Sequence, residues 1–291
     1  MRIDLHTHSS VSDGTDAPEA LVAEAARAGV DVIALCDHDT FDGLAVAVAA
    51  GQRLGVSVLH GIEISAQHHG VSVHLLGYGC RIDDPALADE LARIRQGRSG
   101  RVPAMLERLS RAGMPVPREV LDRYVGDSPS IGRPHLADAM IELGYVSDRR
   151  EAFDRYLADG GPIFVGRYAT PLGRGLDLVR EAGGVAVIAH PWGRVSRDEL
   201  PASLLGRLAA SGRLDGVEVD HQDHDPSTRA ELRALASGLG LLTTGSSDYH
   251  GAGKKDHDLA CNTTAPEVLA EIGARVAARG GLLVGEPPAS V

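Results

Sequence analysis

Residues 2–14 read RIDLHTHSSVSDG. The run 2–5 has the composition of a short strand, and it ends in two histidines, His6 and His8. Side chains alternate along extended chain, so these two imidazoles leave it on the same side and can grip one metal ion together. Asp13 follows in the loop.

The same arrangement recurs outward from this stretch. Runs at 30–35, 56–60, 71–78, 185–189, 217–219 and 241–244 read as strands, several of them apolar throughout, as expected of strands covered on both faces. Ala/Leu-rich stretches lie between them, such as PEALVAEAARAG, whose Leu21, Ala25 and Ala28 recur at helical spacing and whose Gly29 suits a helix C-cap. This alternation predicts an α/β fold of parallel βα units. From about 91 to 166 the pattern is helical, with Pro and Gly punctuation and no convincing strand. The expected organisation is one α/β domain, residues 1–90 and 167–291, carrying an inserted helical subdomain at 91–166. The terminal GEPPASV is expected to fray.

Composition narrows the function classes. A formal charge of −11 over 291 residues argues against double-stranded DNA as a partner, which needs a basic face. The insertion differs from the rest: residues 93–166 hold 12 arginines against 10 carboxylates, so an anionic substrate could be met there. The polar start and the lack of a run of about 18 apolar residues predict a cytoplasmic protein with no membrane association. Cys36, Cys80 and Cys261 show no CxxC spacing, so neither a disulfide framework nor a thiolate zinc site is indicated.

In a parallel α/β domain the C-terminal strand ends converge on one face, where active sites are built. Here they carry histidines and carboxylates in sequence. ALCDHD presents Asp37, His38 and Asp39, GIEIS presents Glu63, the fourth strand carries His74, VAVIAHP ends in His190, and LLTTGSSDYHG brings Asp248 and His250. Singly, each has a structural explanation; a strand-end Asp often caps a helix. Together, six histidines with Asp13, Glu63 and Asp248 form a nitrogen and oxygen donor set suited to zinc, manganese or iron. That much polarity on one face without an ion would leave desolvation and like-charge repulsion uncompensated.

HxH at the first strand, DH at the second, a strand-end Glu, HP and finally DxH resemble the polymerase-and-histidinol-phosphatase (PHP) superfamily over nearly the whole chain. The resemblance implies a distorted parallel (β/α)7-type barrel, an inserted helical cap and three divalent metals. It would place His6, His8, Glu63 and Asp248 on the first metal. Glu63, bridging, would hold the second with His74 and His190, and Asp13, His38 and His250 the third. Glu63, Asp248, His190 and Arg133 would carry catalysis, with a metal-bridging hydroxide attacking phosphorus in line. The insertion with SIGRPHLA, together with GSSDYHG, resembles the branch acting on 3′,5′-bisphosphonucleosides and short 5′-phosphorylated RNA.

On that resemblance Arg133 and His135 are candidates for phosphate contact. Trp192 could stack on a base or serve equally as ordinary packing, His224 is open between substrate contact and a plain polar loop, and Lys254 could meet a phosphate. His221 is balanced between substrate contact and a plain polar loop, and the group that protonates the leaving oxygen stays open among His135, His224 and a metal-bound water. Three rival readings exist. A histidinol-phosphate or other small-molecule phosphatase is disfavoured by the Arg-bearing insertion. A non-catalytic PHP module is disfavoured by the complete ligand set. An amidohydrolase with a carbamylated lysine is disfavoured because no lysine precedes Lys254.

Overall fold

The computed structural model describes residues 1–284. Its strands are β1 (Ile3–Thr7), β2 (Val32–Leu35), β3 (Ser57–His68), β4 (Val71–Tyr78), β5 (Thr170–Pro171), β6 (Val185–Ile188), β7 (Gly216–Asp220) and β8 (Leu242–Gly245). They pair in the order β1-β2-β3-β4-β6-β7-β8, and the short β5 attaches to β3. The sheet curls nearly closed because the chain beyond β8 returns to β1. Tyr249 bridges Thr7, and the His8 N–H donates to the Tyr249 carbonyl at 2.9 Å.

Pairing is parallel among β1, β2 and β3 and again among β6, β7 and β8. β4 departs from the expected all-parallel order and runs antiparallel to both β3 and β6. The cause is local. Only His69 and Gly70 separate β3 from β4, and both are left-handed, with φ of 49° and 85°. A two-residue loop of that kind closes a hairpin, whereas a parallel crossover needs a dozen residues or more. β3 also continues well past the expected 56–60, so Glu63 lies within a strand, opposite Leu76, rather than at a strand end.

Helices α1 (Pro18–Arg27) and α2 (Leu44–Leu54) cover one side of the sheet, burying Leu21, Val22, Ala25, Ala47 and Val48 against Ile33, Leu35 and Val58. Gly29 follows α1 with φ 66°, the left-handed residue that ends it. The segment after β4 folds into α3 (Pro85–Gly100), α4 (Val102–Arg111), α5 (Arg118–Val125), α6 (Arg133–Glu142) and α7 (Arg149–Ala152), the last running into a π turn. Leu87, Leu91 and Ile94 of α3 join the apolar cluster of the barrel. Val102, Met105, Leu109, Leu136 and Met140 form a separate cluster with Leu157 and Ile163. α8 (Leu172–Glu181), α9 (Ala202–Ala210), α10 (Pro226–Leu239) and α11 (Pro266–Ala278) complete the barrel's outer layer. Among the described residues, no helix is long and apolar enough to cross a membrane. The expectation for GEPPASV falls outside the described residues.

Candidate metal centre

Backbone pairing sets the geometry. Beyond β2, the Asp39 N–H donates to the Glu63 carbonyl at 3.1 Å and the Glu63 N–H to the Asp37 carbonyl at 3.3 Å, which lays His38 alongside Glu63. The carboxylate of Glu63 then stands among five imidazoles. Its Oε2 lies 3.3 Å from His6 Nε2, 3.1 Å from His8 Nε2 and 3.2 Å from His38 Nδ1. Its Oε1 lies 2.7 Å from His74 Nδ1 and 3.3 Å from His190 Nε2. Asp248 Oδ1 approaches His6 Nε2, His8 Nε2 and His250 Nδ1 at 3.6, 3.4 and 3.5 Å. Asp13 reaches His250 Nε2 at 3.3 Å and His38 Nε2 at 3.5 Å. All nine ligand candidates are thus gathered on one face, eight of them buried and His74 partly so.

The donor set fits divalent cations. Buried His6 Nε2, His8 Nε2 and His38 Nδ1 make no hydrogen bond among the described residues. Leaving a buried nitrogen unsatisfied costs about 1–3 kcal/mol, a penalty that coordination removes. Ligand atoms of His8, Asp13, His38 and His250 all lie within 4.8 Å of one another, as do those of His6, His8 and Asp248, and those of His38, Glu63 and His74. His8 and His38 belong to two groups each, so ions held here would sit close together. Burial works to raise Glu63, but the neighbouring imidazoles, His74 foremost and His6 with it, hold its carboxyl well below the usual range. Burial likewise opposes ionisation of Asp248, and Lys254 and His6 overcome it. Burial pushes His38 down to about 3 and, with Arg194, holds His190 well below its ordinary value, so both are neutral donors.

A surrounding polar layer orients the ligands, and most of it escaped the sequence reading. Glu218, fully buried in β7, places Oε1 3.2 Å from His6 Nδ1 and accepts the His190 N–H at 2.9 Å. This carboxylate turns His6 Nε2 toward the centre, the usual support for a metal-binding histidine. Its signal in the sequence was an acid flanked by two valines in the run GVEVD. Asp37, which the sequence offered beside His38, instead accepts from Ser9 N–H and Oγ and from Ser12 Oγ at 2.6–2.8 Å, fixing the loop that carries His8 and Asp13. Arg194 Nη2 and His221 Nε2 meet Asp248 Oδ2 at 2.8 and 3.2 Å. Asp39, His190 and Asp248 all have positive φ, 60°, 30° and 53°. Backbone strain of roughly 1–3 kcal/mol per such residue is concentrated where it aims the ligands.

A PHP-domain family model matches residues 4–115. The chain is 34% identical to a 3′,5′-nucleoside bisphosphate phosphatase from Chromobacterium violaceum, over 95% of this chain and 97% of that protein. The chain belongs to the PHP family. It is a metal-dependent phosphoesterase by the company it keeps and by its donor set. It is also 32% identical to a 5′-3′ exoribonuclease from Escherichia coli, over 85% of this chain and 84% of that protein. A phosphoribosyl 1,2-cyclic phosphate 1,2-diphosphodiesterase from Eggerthella lenta is 37% identical over 85% of this chain and 94% of its own length. A solved structure from Bifidobacterium adolescentis, designated a metal-dependent phosphoesterase, superposes with a TM-score of 0.89 at 34% identity, covering 94% of this chain and 96% of that one.

Around the PHP centre the substrate candidates fare unequally. Trp192 packs into the barrel core, 9% exposed, with its indole N–H donating to the Leu200 carbonyl at 2.7 Å. Of the two roles open to it, base stacking and ordinary packing, this burial favours packing. His135 is buried, and its Nδ1 accepts the Gly132 N–H at 2.9 Å, which makes it a cap for α6. Lys254 contacts the Asp248 carboxylate, beside the centre. His224 is buried, with Nδ1 2.8 Å from the Val219 carbonyl. Arg133 is not among the ligand groups; its Nη1 donates to Asp159 Oδ1 at 2.5 Å and to the Leu157 carbonyl at 2.8 Å.

Proposed function

We propose that this phosphoesterase removes the 3′-phosphate of 3′,5′-bisphosphonucleosides and acts on short 5′-phosphorylated RNA, using three divalent cations drawn from manganese, iron and zinc. The observation that carries the reading is the donor cluster, eight residues in shared ligand groups with His190 3.3 Å from Glu63, in a chain that matches a bisphosphonucleotide phosphatase over 95% of its length. When bound, divalent cations supply Lewis acidity and acidify a coordinated water. The chain's own contribution is placement and charge. Glu63 spans the two halves of the imidazole ring and offsets repulsion between neighbouring cations, while Asp248 and Asp13 do the same at either side. His6, His8, His38, His74, His190 and His250 offer neutral nitrogens without adding negative charge, which leaves the centre attractive to a phosphate ester. Arg133 on the insertion, paired with Asp159 in the structure, would meet phosphate by exchanging that carboxylate for the substrate's oxygens.

The test is phosphate release by the manganese-loaded protein from adenosine 3′,5′-bisphosphate, adenosine 3′-monophosphate, histidinol phosphate and a short 5′-phosphorylated RNA. A phosphoribosyl 1,2-cyclic phosphate is included because of the Eggerthella relative. The bisphosphate should have the highest kcat/KM. Turnover of another ester with none of the bisphosphate would refute the substrate assignment.

A further inference from the structure

The ligand candidates of the metal centre are not all held in the same way. His6, Glu63 and His74 lie within β1, β3 and β4, where the strand ladder fixes the backbone. Asp13 and His250 lie outside any strand, in the segments that follow β1 and β8. These two segments are tied to each other. The Thr15 N–H donates to the His250 carbonyl at 3.1 Å, the Ala252 N–H to Thr15 Oγ1 at 2.9 Å, and the Tyr249 hydroxyl to Asp16 Oδ2 at 2.7 Å.

The insertion grips both of them. Arg149, at the start of α7, is 13% exposed and pairs at two points with Asp138 of α6, Nε to Oδ1 at 2.7 Å and Nη2 to Oδ2 at 2.6 Å. That pair leaves Nη1 free to donate to the Asp13 carbonyl at 3.0 Å. Ser128 Oγ, just before α6, donates to the Val11 carbonyl at 2.7 Å. On the second segment Lys255 Nζ meets Asp148 Oδ2 at 3.0 Å. Gly253 packs so closely on Arg149 that a Cβ there would stand 2.7 Å from the guanidinium carbon.

Arg149 thus binds the peptide carbonyl of Asp13 and not its carboxylate. Both carboxylate oxygens stay turned to the centre, where they face His250 Nε2 and His38 Nε2. A guanidinium already locked by a two-point carboxylate pair has little freedom left to lose when it makes a third contact. A loop ordered before a cation arrives also spares the cation the cost of ordering it, which strengthens binding.

We propose that Arg149, with Ser128 and the close-packed Gly253, makes the insertion a positioning element of the metal centre, holding the Asp13–His250 edge in the geometry that retains one cation. The cation concerned is that of the group His8, Asp13, His38 and His250. Undocking of the insertion would release it while the cations beside Glu63 stay. The inference rests on the three-cation reading given above.

The experiment counts manganese in the full chain by elemental analysis after dialysis and measures its affinity by calorimetric titration. The proteins are wild type, Arg149→Met, Gly253→Ala, Asp13→Asn and the double variant Arg149→Met/Asp13→Asn. Arg149→Met should weaken one equivalent about 10–100-fold, the usual effect of losing a group that orients a metal ligand, and leave the others as in wild type. Gly253→Ala, which displaces the guanidinium with a single methyl group, should weaken the same equivalent. The double variant should lose no more than Asp13→Asn alone, because both changes act on one cation. A larger loss in the double variant, or a weakening spread over every equivalent, would mark Arg149 as a general structural brace and overturn the proposal. Unchanged binding in a folded Arg149→Met, or in Gly253→Ala where Arg149→Met does not fold, would also overturn it. If Asp13→Asn binds as many equivalents as the wild type, the three-cation reading fails and the proposal with it. If Asp13→Asn loses one equivalent and the other two single variants lose none, that reading stands and only the positioning role falls.

Discussion

Replacing Glu63 by Gln keeps the side chain's size and removes its charge. In the structure this one carboxylate faces His6, His8, His38, His74 and His190 at 2.7–3.3 Å. No other carboxylate of the centre touches so many ligands; Asp13 faces His8, His38 and His250 at 3.3–3.8 Å. Breaking a buried charged pair by removing one partner costs roughly 3–5 kcal/mol. At about 1.4 kcal/mol per tenfold in rate, Glu63→Gln should lower kcat/KM by roughly two to four powers of ten. Asp13→Asn, at the edge, should cost roughly 1.5–3 kcal/mol, the scale of a charge-assisted hydrogen bond, or about ten- to a hundredfold. The assay is phosphate release at saturating manganese, with metal content measured on the same samples by elemental analysis. Wild type should bind close to three equivalents and Glu63→Gln fewer. A Glu63→Gln protein with turnover within threefold of wild type, or one less impaired than Asp13→Asn, would refute the bridging role.

Other outcomes follow from the same geometry. Glu218→Gln should weaken manganese binding about 10–100-fold, the usual effect of losing a ligand's orienting carboxylate, and an unchanged titration would remove Glu218 from that role. In the metal-free chain, burial opposes the charge on His6 and His8, yet Glu63 and Asp248 hold both protonated, His8 up to about 9. A raised folded pKa stabilises fully below the unfolded value of about 6.5 and is lost as pH rises toward 9, so the metal-free Tm should fall across that window. Manganese loading at pH 7.5 should release protons, read by calorimetry in buffers of different ionisation enthalpy; zero release would contradict the protonated pair. Trp192→Phe should lower stability by about 0.5–1.5 kcal/mol for the lost bond to Leu200 and leave KM unchanged, whereas a raised KM with normal stability would restore a substrate role.

The order of candidate ligands along the chain can be read from residues alone, because it rests on local periodicity. His6 and His8 share a face through the two-residue repeat of extended chain, and Ile33, Ala34, Leu35 and Val185 to Ile188 mark buried parallel strands before any fold is known. What residues face across the barrel depends on register and closure, which no local pattern encodes. Two left-handed residues, His69 and Gly70, reversed β4 and moved Glu63 from a strand end to the middle of a hairpin, where its carboxylate meets five imidazoles from four other strands. Glu218 became an orienting group only once β7 lay beside β6, and Trp192 became core once the loop after β6 folded onto Leu200. Arg98, Arg101 and Arg133 are spread over 36 positions of an otherwise ordinary basic stretch. Their meeting is purely tertiary: single charges read as solvated in sequence, and only the packing of α3 and α4 against α6 shows that two of them, Arg98 and Arg101, have left the solvent.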